Sequence, residues 1–248
     1  VTLPLGNEPH LPDWQPDIPE RYLQMPAAEL IERIERARTT LGSRLLILGH
    51  HYQRDDVIQF ANFRGDSFGL AREAQKRAEA EFILFCGVHF MAESAEILTG
   101  PDQVVMLPNL AAGCSMADMA QPEDVYGSWD ELTEVVAADD VIPVTYMNSD
   151  ASLKAFVGRN GGAVCTSSNA TAVLEWAFER GKHVFFFPDQ HLGRNTAKKL
   201  GIDVRNETAV WNPRKPLGGL SPERVRASRV LLWQGHCSVH VRFKTEQI

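Results

Sequence analysis

The feature that most constrains the fold of this chain recurs along it: a short apolar run that stops abruptly at a cluster of polar and ionisable side chains. Leu45-Leu46-Ile47-Leu48 runs into Gly49-His50-His51-Tyr52-Gln53, and Phe82-Ile83-Leu84-Phe85-Cys86 into Gly87-Val88-His89. Val104-Val105-Met106-Leu107 leads to Gly113-Cys114-Ser115. The series resumes with Val141-Ile142-Pro143-Val144-Thr145 before Tyr146-Met147-Asn148-Ser149, and Ala163-Val164-Cys165 before Thr166-Ser167-Ser168-Asn169. It ends with Val184-Phe185-Phe186-Phe187 before Pro188-Asp189-Gln190-His191, and Val230-Leu231-Leu232-Trp233 before Gly235-His236-Cys237-Ser238. Runs that are apolar at every position fit parallel strands buried on both faces. Enzymes of the α/β class assemble their sites from the residues that follow such strands.

Between the runs lie helical patterns of about ten residues, the signature of βαβ crossovers. Pro26 opens a helix through Arg38, with Leu30, Ile31 and Ile34 on one face. Further helices are predicted over 66–78, 91–98, 150–157 and 191–200. Ser128 with Glu131 reads as a capping box for a helix through Val136, and Asn169 as the N-cap of a helix through Arg180. Residues 1–26, rich in proline and polar groups, read as an extended arm. The fold class predicted is α/β, built from repeated three-layer αβα units with short parallel sheets. An arm and helix occupy 1–43, a first unit 44–138 and a second unit 139–248. Pro213, Pro216, Gly218, Gly219 and Pro222 mark a Pro/Gly-rich surface insertion over 203–222, followed by one short helix.

The 248 residues are 44% hydrophobic and 23% charged, with a net charge of -7. An acidic balance argues against nucleic acid as the main partner, since phosphate binding draws on clustered lysine and arginine. A small anionic substrate is compatible with it, because local positive groups can outweigh a mildly acidic surface. No run approaches the roughly 18 apolar residues of a membrane span, and no signal peptide is visible. The first residue is valine, so the native N-terminus is expected upstream. Four cysteines without paired spacing make no disulfide framework, which points to a reducing cytoplasm.

Each polar cluster has a chemical and a purely architectural reading. His50, His51 and Tyr52 can shuttle protons or bind a ligand, or simply satisfy a strand-end turn. Ser67, after Gly65-Asp66, and Ser167, within Thr166–Asn169, sit where helix N-terminal amides can hold an anion; both also read as ordinary caps. Tyr146, Met147 and Asn148 can clamp a small polar ligand, or form a turn. Asp189–Arg194 reads as a base, an anion contact or a capped turn, and stays outside the core site. Cys86 and Cys165 lie inside apolar strands and read as core residues. Cys114 and Cys237 lie in loops beside glycines, as ligands do, although no C-x-x-C spacing is present.

Taken together these stretches resemble quinolinate synthase, an iron–sulfur family. The matching segments are Gly49–Gln53, Gly65–Ser67, Gly87–Glu93 and Ala112–Asp118, then Tyr146–Ser149, Cys165–Ala170, Phe187–Arg194 and Trp233–His240. They occur in family order from about Leu45 to the end. The resemblance implies three αβα units around a pseudo-threefold axis, each giving one cysteine to a [4Fe-4S] cluster whose fourth iron is open to substrate. Cys114 and Cys237 match two of those ligands. The implied reaction condenses iminosuccinate with dihydroxyacetone phosphate to quinolinate, losing phosphate and two waters, in NAD biosynthesis. His50, Ser67, Tyr146, Met147 (through its main chain), Asn148 and Ser167 match substrate positions. Tyr52, with His50, matches the proton-transfer role. The implied functional partner is L-aspartate oxidase, which supplies iminosuccinate.

The sequence departs from the pattern at its end. The His-Pro-Glu segment, the Gly-Ser-Thr loop and the third cluster cysteine do not occur before Ile248. On that pattern the third unit is absent, and the 248-residue polypeptide is expected to be inactive by itself and to expose apolar surface. Two other classes compete on residues alone. One is a non-catalytic module that captures a small dicarboxylate. The other is a zinc hydrolase using His50, His51 and His89, whose spacing matches no familiar zinc motif.

Overall fold

The computed structural model describes residues 17–244 and Glu246. The chain divides into two compact units, Val1–Gly113 and Cys114–Ile248.

The first unit runs α1 (Glu20–Leu23), α2 (Ala27–Leu41), β1 (Leu45–His50), α3 (Asp55–Ile58), β2 (Phe63–Gly65), α4 (Ser67–Lys76), β3 (Phe82–Cys86), α5 (His89–Leu98) and β4 (Val104–Met106). Its four strands lie in the order β2-β1-β3-β4 and pair in parallel throughout. Register places Gly49 opposite Cys86 and His50 opposite Gly65. The polar residues that follow β1, β2 and β3 therefore leave the sheet along one edge. Leu48, Ile83 and Phe85 are wholly buried, as are Ala71 and Ala74 of α4, while Ile47, Phe60 and Cys86 form a smaller cluster.

The second unit runs α6 (Pro122–Thr133), β5 (Val141–Tyr146), α7 (Ala151–Arg159), β6 (Ala163–Cys165), α8 (Ala170–Phe178), β7 (His183–Phe187), α9 (Gln190–Lys199), β8 (Thr208–Trp211), α10 (Pro222–Ala227) and β9 (Val230–Trp233). Five parallel strands lie in the order β6-β5-β7-β9-β8. The two-residue pleat sorts their apolar side chains onto opposite faces. Val184, Phe186, Val230 and Leu232 meet Leu174 and Ala177 of α8 and Ala197 of α9. Phe185, Phe187, Leu231, Trp211 and Trp233 meet Val125, Trp129 and Leu132 of α6 and Leu153 and Phe156 of α7. This is the three-layer αβα arrangement that the doubly apolar runs imply. The three phenylalanines of β7, Trp211 of β8 and Trp233 of β9 are fully buried, each stabilising the fold by roughly 1.5–3 kcal/mol.

Several local expectations change. Helix α6 begins at Pro122, so Ser128 lies within it, buried beside Trp129, and caps nothing. Glu131 instead accepts a 2.6 Å hydrogen bond from the Leu217 amide, holding a loop residue whose φ is 50°. Residues 114–138, which the sequence division places in the first unit, group with the second. The cause is the apolar face of α6, which is buried on the second sheet. Strands β2 and β8 are additions, and β8 runs through the segment read as an insertion. Both are edge strands of three or four residues, too short to carry a pattern. The arm read over residues 1–26 lies outside the described residues as far as 16, and residues 20–23 are helical.

Candidate active site

The first unit carries His50, Tyr52 and Ser67. His50 is the last residue of β1 and is 6% exposed. Its ring lies 4.0 Å from the Tyr52 ring and 4.2 Å from that of His51, centroid to centroid. Loss of hydration, reinforced by neighbouring His51 and opposed by Asp66, pushes the His50 imidazole down to about 4. The ring is therefore neutral near pH 7. Its Nδ1 faces the Tyr52 amide at 3.5 Å, which leaves the ring proton on Nε2 as a donor. Tyr52 is 53% exposed, so its phenol can exchange protons with solvent. Ser67 is half-buried at the start of α4, where Asp66 caps the helix by accepting from the Gly69 amide at 2.7 Å. A ligand at Ser67 would thus meet its hydroxyl beside a carboxylate.

Titration of His50 gives a measurable consequence. An unfolded chain takes up the proton near pH 6.5, but the folded chain only near pH 4. Stability is therefore retained above pH 6.5 and falls as pH drops from 6.5 to 4, by roughly 2–3 kcal/mol from this group. Urea midpoints measured at pH 7 and pH 4.5 should fall further for the unaltered chain than for His50→Gln. An equal fall in both would show that His50 is not the titrating group.

The second unit gathers most of the other predicted residues. Tyr146 ends β5, and its phenol hydrogen-bonds the Ser167 side chain. Burial raises the Tyr146 pKa, against the Ser167 hydrogen bond and with help from nearby Cys165, Asp189 and Cys114, so the phenol stays protonated and can donate. The Met147 side chain is buried; its amide donates to the Cys165 carbonyl at 2.8 Å, and its carbonyl accepts from the Ser149 amide at 2.9 Å. A ligand can still reach that carbonyl through its second lone pair. Asn148 follows, half-buried. Asn169 holds the N-cap position of α8, as the sequence predicts, but its side chain does not cap the helix. Its side chain turns back to accept from the Thr166 amide at 2.6 Å, which leaves the first turn of α8 without a side-chain cap beside Ser167.

Cys114 and Cys237 approach one another in this unit. The residues that follow them touch, with Ser115 Oγ 3.3 Å from Ser238 Oγ, and Cys237 is close enough to act electrostatically on the Cys114 thiol. Burial raises the Cys114 pKa, while the Ala117 and Met116 amides donate to its sulfur and lower it. Such N–H···S bonds stabilise a thiolate once a metal displaces the proton. The Cys237 loop is fixed by the end of β7: the Gln190 amide donates to the Gly235 carbonyl at 3.0 Å, and Asp189 bridges to Gly235. Cys165 is wholly buried with its thiol pushed up to about 12, and Cys86 is buried with its pKa raised, as befits core residues.

Asp189 stands outside the core site that the sequence predicts. It is 4% exposed, accepts from the His191 amide at 2.8 Å and lies near Tyr146. An acid between a strand and a helix start is indistinguishable in sequence from an ordinary cap. The donor set fits an iron–sulfur group in part: two thiols lie on loops whose following serines touch, and one has amides on its sulfur. Among the described residues no group of three or more His, Cys, Asp or Glu is arranged to hold a metal ion. None of the described helices is long and apolar enough to cross a membrane.

Comparison with known proteins supplies the wider context. A family model described as quinolinate synthetase A protein matches residues 32–248. A quinolinate synthase of Corynebacterium glutamicum is 59% identical over 98% of this chain and 62% of its own length. Quinolinate synthases of a Nocardioides species and of Streptomyces coelicolor are 60% and 58% identical, over 88% and 89% of this chain and 57% and 56% of their own lengths. The chain thus spans about three fifths of the length of these relatives.

Proposed function

The chain belongs to the quinolinate synthetase A family, and from that premise we propose that it carries the chemistry of quinolinate synthase. Iminosuccinate and dihydroxyacetone phosphate condense to quinolinate, releasing one phosphate and two waters, as a step of NAD biosynthesis. The supporting observation is the meeting of the Cys114 and Cys237 loops in the unit where the Tyr146 phenol pairs with Ser167. Those thiols would hold two irons of a [4Fe-4S] cluster. When bound, the cluster supplies an open iron as a Lewis acid for substrate oxygen.

The chain's own residues do the rest. Tyr146 and Ser167 donate to carboxylate or phosphate oxygens, with the first turn of α8 adding uncapped amides. Asn148 adds an amide donor. Ser67 binds through its hydroxyl. The neutral His50 donates from Nε2 or accepts a proton during enamine and imine steps, and does not serve as a cationic acid at neutral pH. Tyr52 carries protons between solvent and His50. An L-aspartate oxidase would supply iminosuccinate, and both enzymes would work in the cytoplasm.

The 248-residue polypeptide is inactive by itself on this account, because the cluster needs a third thiolate besides Cys114 and Cys237. The test is anaerobic reconstitution, with ferrous iron and sulfide, of a chain completed to the length of its relatives. Iminosuccinate, generated from oxaloacetate and ammonia, and dihydroxyacetone phosphate are then added. Quinolinate should appear by mass spectrometry with the completed chain and not with residues 1–248 alone. A completed chain that holds its cluster and yields no quinolinate would refute the reading.

A further inference from the structure

We infer that Ser149, with Thr145, is a positioning residue that sets the aim of the Tyr146 phenol and the Asn148 amide; the link to substrate rests on the function proposed above. Neither side chain has any solvent exposure. The turn after β5 is tied at several points within six residues. The Thr145 hydroxyl donates to Ser149 Oγ at 2.9 Å, and Ser149 Oγ donates to the Tyr146 carbonyl at 2.8 Å. The Ser149 amide donates to the Met147 carbonyl at 2.9 Å, which closes a three-residue turn with Asn148 at its centre. Lys154 of α7 reaches back and donates Nζ to the Ser149 carbonyl.

The chemistry explains why hydroxyls occupy these interior positions. At the end of β5 the Tyr146 carbonyl is partly buried and needs a donor. Ser149 supplies that donor from three residues on, and Thr145 completes the chain of hydrogen bonds. The relay fixes the backbone on both sides of Tyr146 and Asn148. The Met147 amide, bonded to the Cys165 carbonyl, anchors the same turn to β6, the strand that leads to Ser167. Tyr146 and Ser167 thus meet because two strand ends are locked to each other, and Ser149 is the lock on the β5 side. Ser149 and Thr145 need not touch a substrate to have this effect.

The test separates hydroxyl chemistry from packing. Thr145→Val keeps the shape and deletes the hydroxyl, Thr145→Ser keeps the hydroxyl and deletes a methyl, and Ser149→Ala removes the central donor. In the 248-residue chain labelled with [4-13C]tyrosine there are four signals, and Tyr146 is identified by its loss in Tyr146→Phe. That signal should move in Thr145→Val and Ser149→Ala and stay in place in Thr145→Ser. In the completed, reconstituted enzyme the KM for iminosuccinate should rise about tenfold in the first two, with kcat changing less than KM and Thr145→Ser restoring the unaltered value. An unmoved signal in Thr145→Val, or a Thr145→Ser variant that behaves like Thr145→Val, overturns the inference. The tyrosine signal requires no catalysis, so it decides the positioning role even if no variant, nor the unaltered enzyme, makes quinolinate.

Discussion

Replacing Cys237 with serine, in a chain completed to the length of its relatives and reconstituted anaerobically, is expected to lower bound iron and abolish the cluster absorbance. Quinolinate formation should fall at least 10³-fold, equivalent to about 4 kcal/mol of transition-state stabilisation. A serine hydroxyl ionises far less readily than a thiol and is a harder donor, so it does not replace thiolate on iron. Cys114→Ser should do the same, with the added loss of the sulfur that the Met116 and Ala117 amides now serve. Cys86→Ser is the control. That thiol is buried in the first unit, packed with Ile47 and Phe60, and its replacement should leave the iron content unchanged. Wild-type iron and absorbance in Cys237→Ser would remove that residue from the ligand set. A module that merely captures a dicarboxylate would bind its ligand equally well with either cysteine replaced.

The second large effect is expected at Gly235. This residue joins the end of β9 to the Cys237 loop, and its neighbours leave no room for a side chain. A Cβ there would overlap the carbonyl oxygen of Pro188, a backbone atom that cannot swing aside. The same residue turns tightly, its amide donating to the Trp233 carbonyl at 2.8 Å, and accepts from the Gln190 amide at 3.0 Å. Gly235→Ala must therefore part the ends of β7 and β9. The expected cost is about 2–4 kcal/mol, read as a lower urea midpoint, together with iron loss in the completed chain like that of Cys237→Ser. Gly127, with open space around its Cα, is the comparison: Gly127→Ala in α6 should be neutral or mildly stabilising. A Gly235→Ala chain as stable as the unaltered one would show that the β7–β9 junction does not hold the loop.

Much of this arrangement is legible in the sequence because burial on two faces leaves a plain mark. The runs at Leu45, Phe82, Val184 and Val230 are apolar at every position and that at Val141 at every position but Thr145, and each is a strand. The polar residues after them fall at strand ends for the same reason, which is why Tyr146 and Ser167 are found together. Elements without that mark were harder to read. Strands β2 and β8 are short edges, and their residues mix polar with apolar side chains. The Ser128/Glu131 spacing imitates a capping box, but Pro122 starts the helix earlier and Ser128 turns inward. Asn169 stands at a helix start, yet its side chain bonds backward to Thr166, a choice among local hydrogen bonds that composition does not encode. Asp189 reads in the sequence as a base, an anion contact or a capped turn; it caps α9 through the His191 amide, and its burial comes from β7 meeting β9, a long-range event.

The most direct measurement of the central claim is thiol cross-linking in the folded 248-residue chain. A short rigid bis-maleimide, followed by digestion and mass spectrometry, should join the peptides holding Cys114 and Cys237. Cys86 and Cys165 should remain unmodified until urea is added. Single adducts on Cys114 and Cys237 with no bridge between them would contradict the account, for the two thiols would then be too far apart to share one cluster.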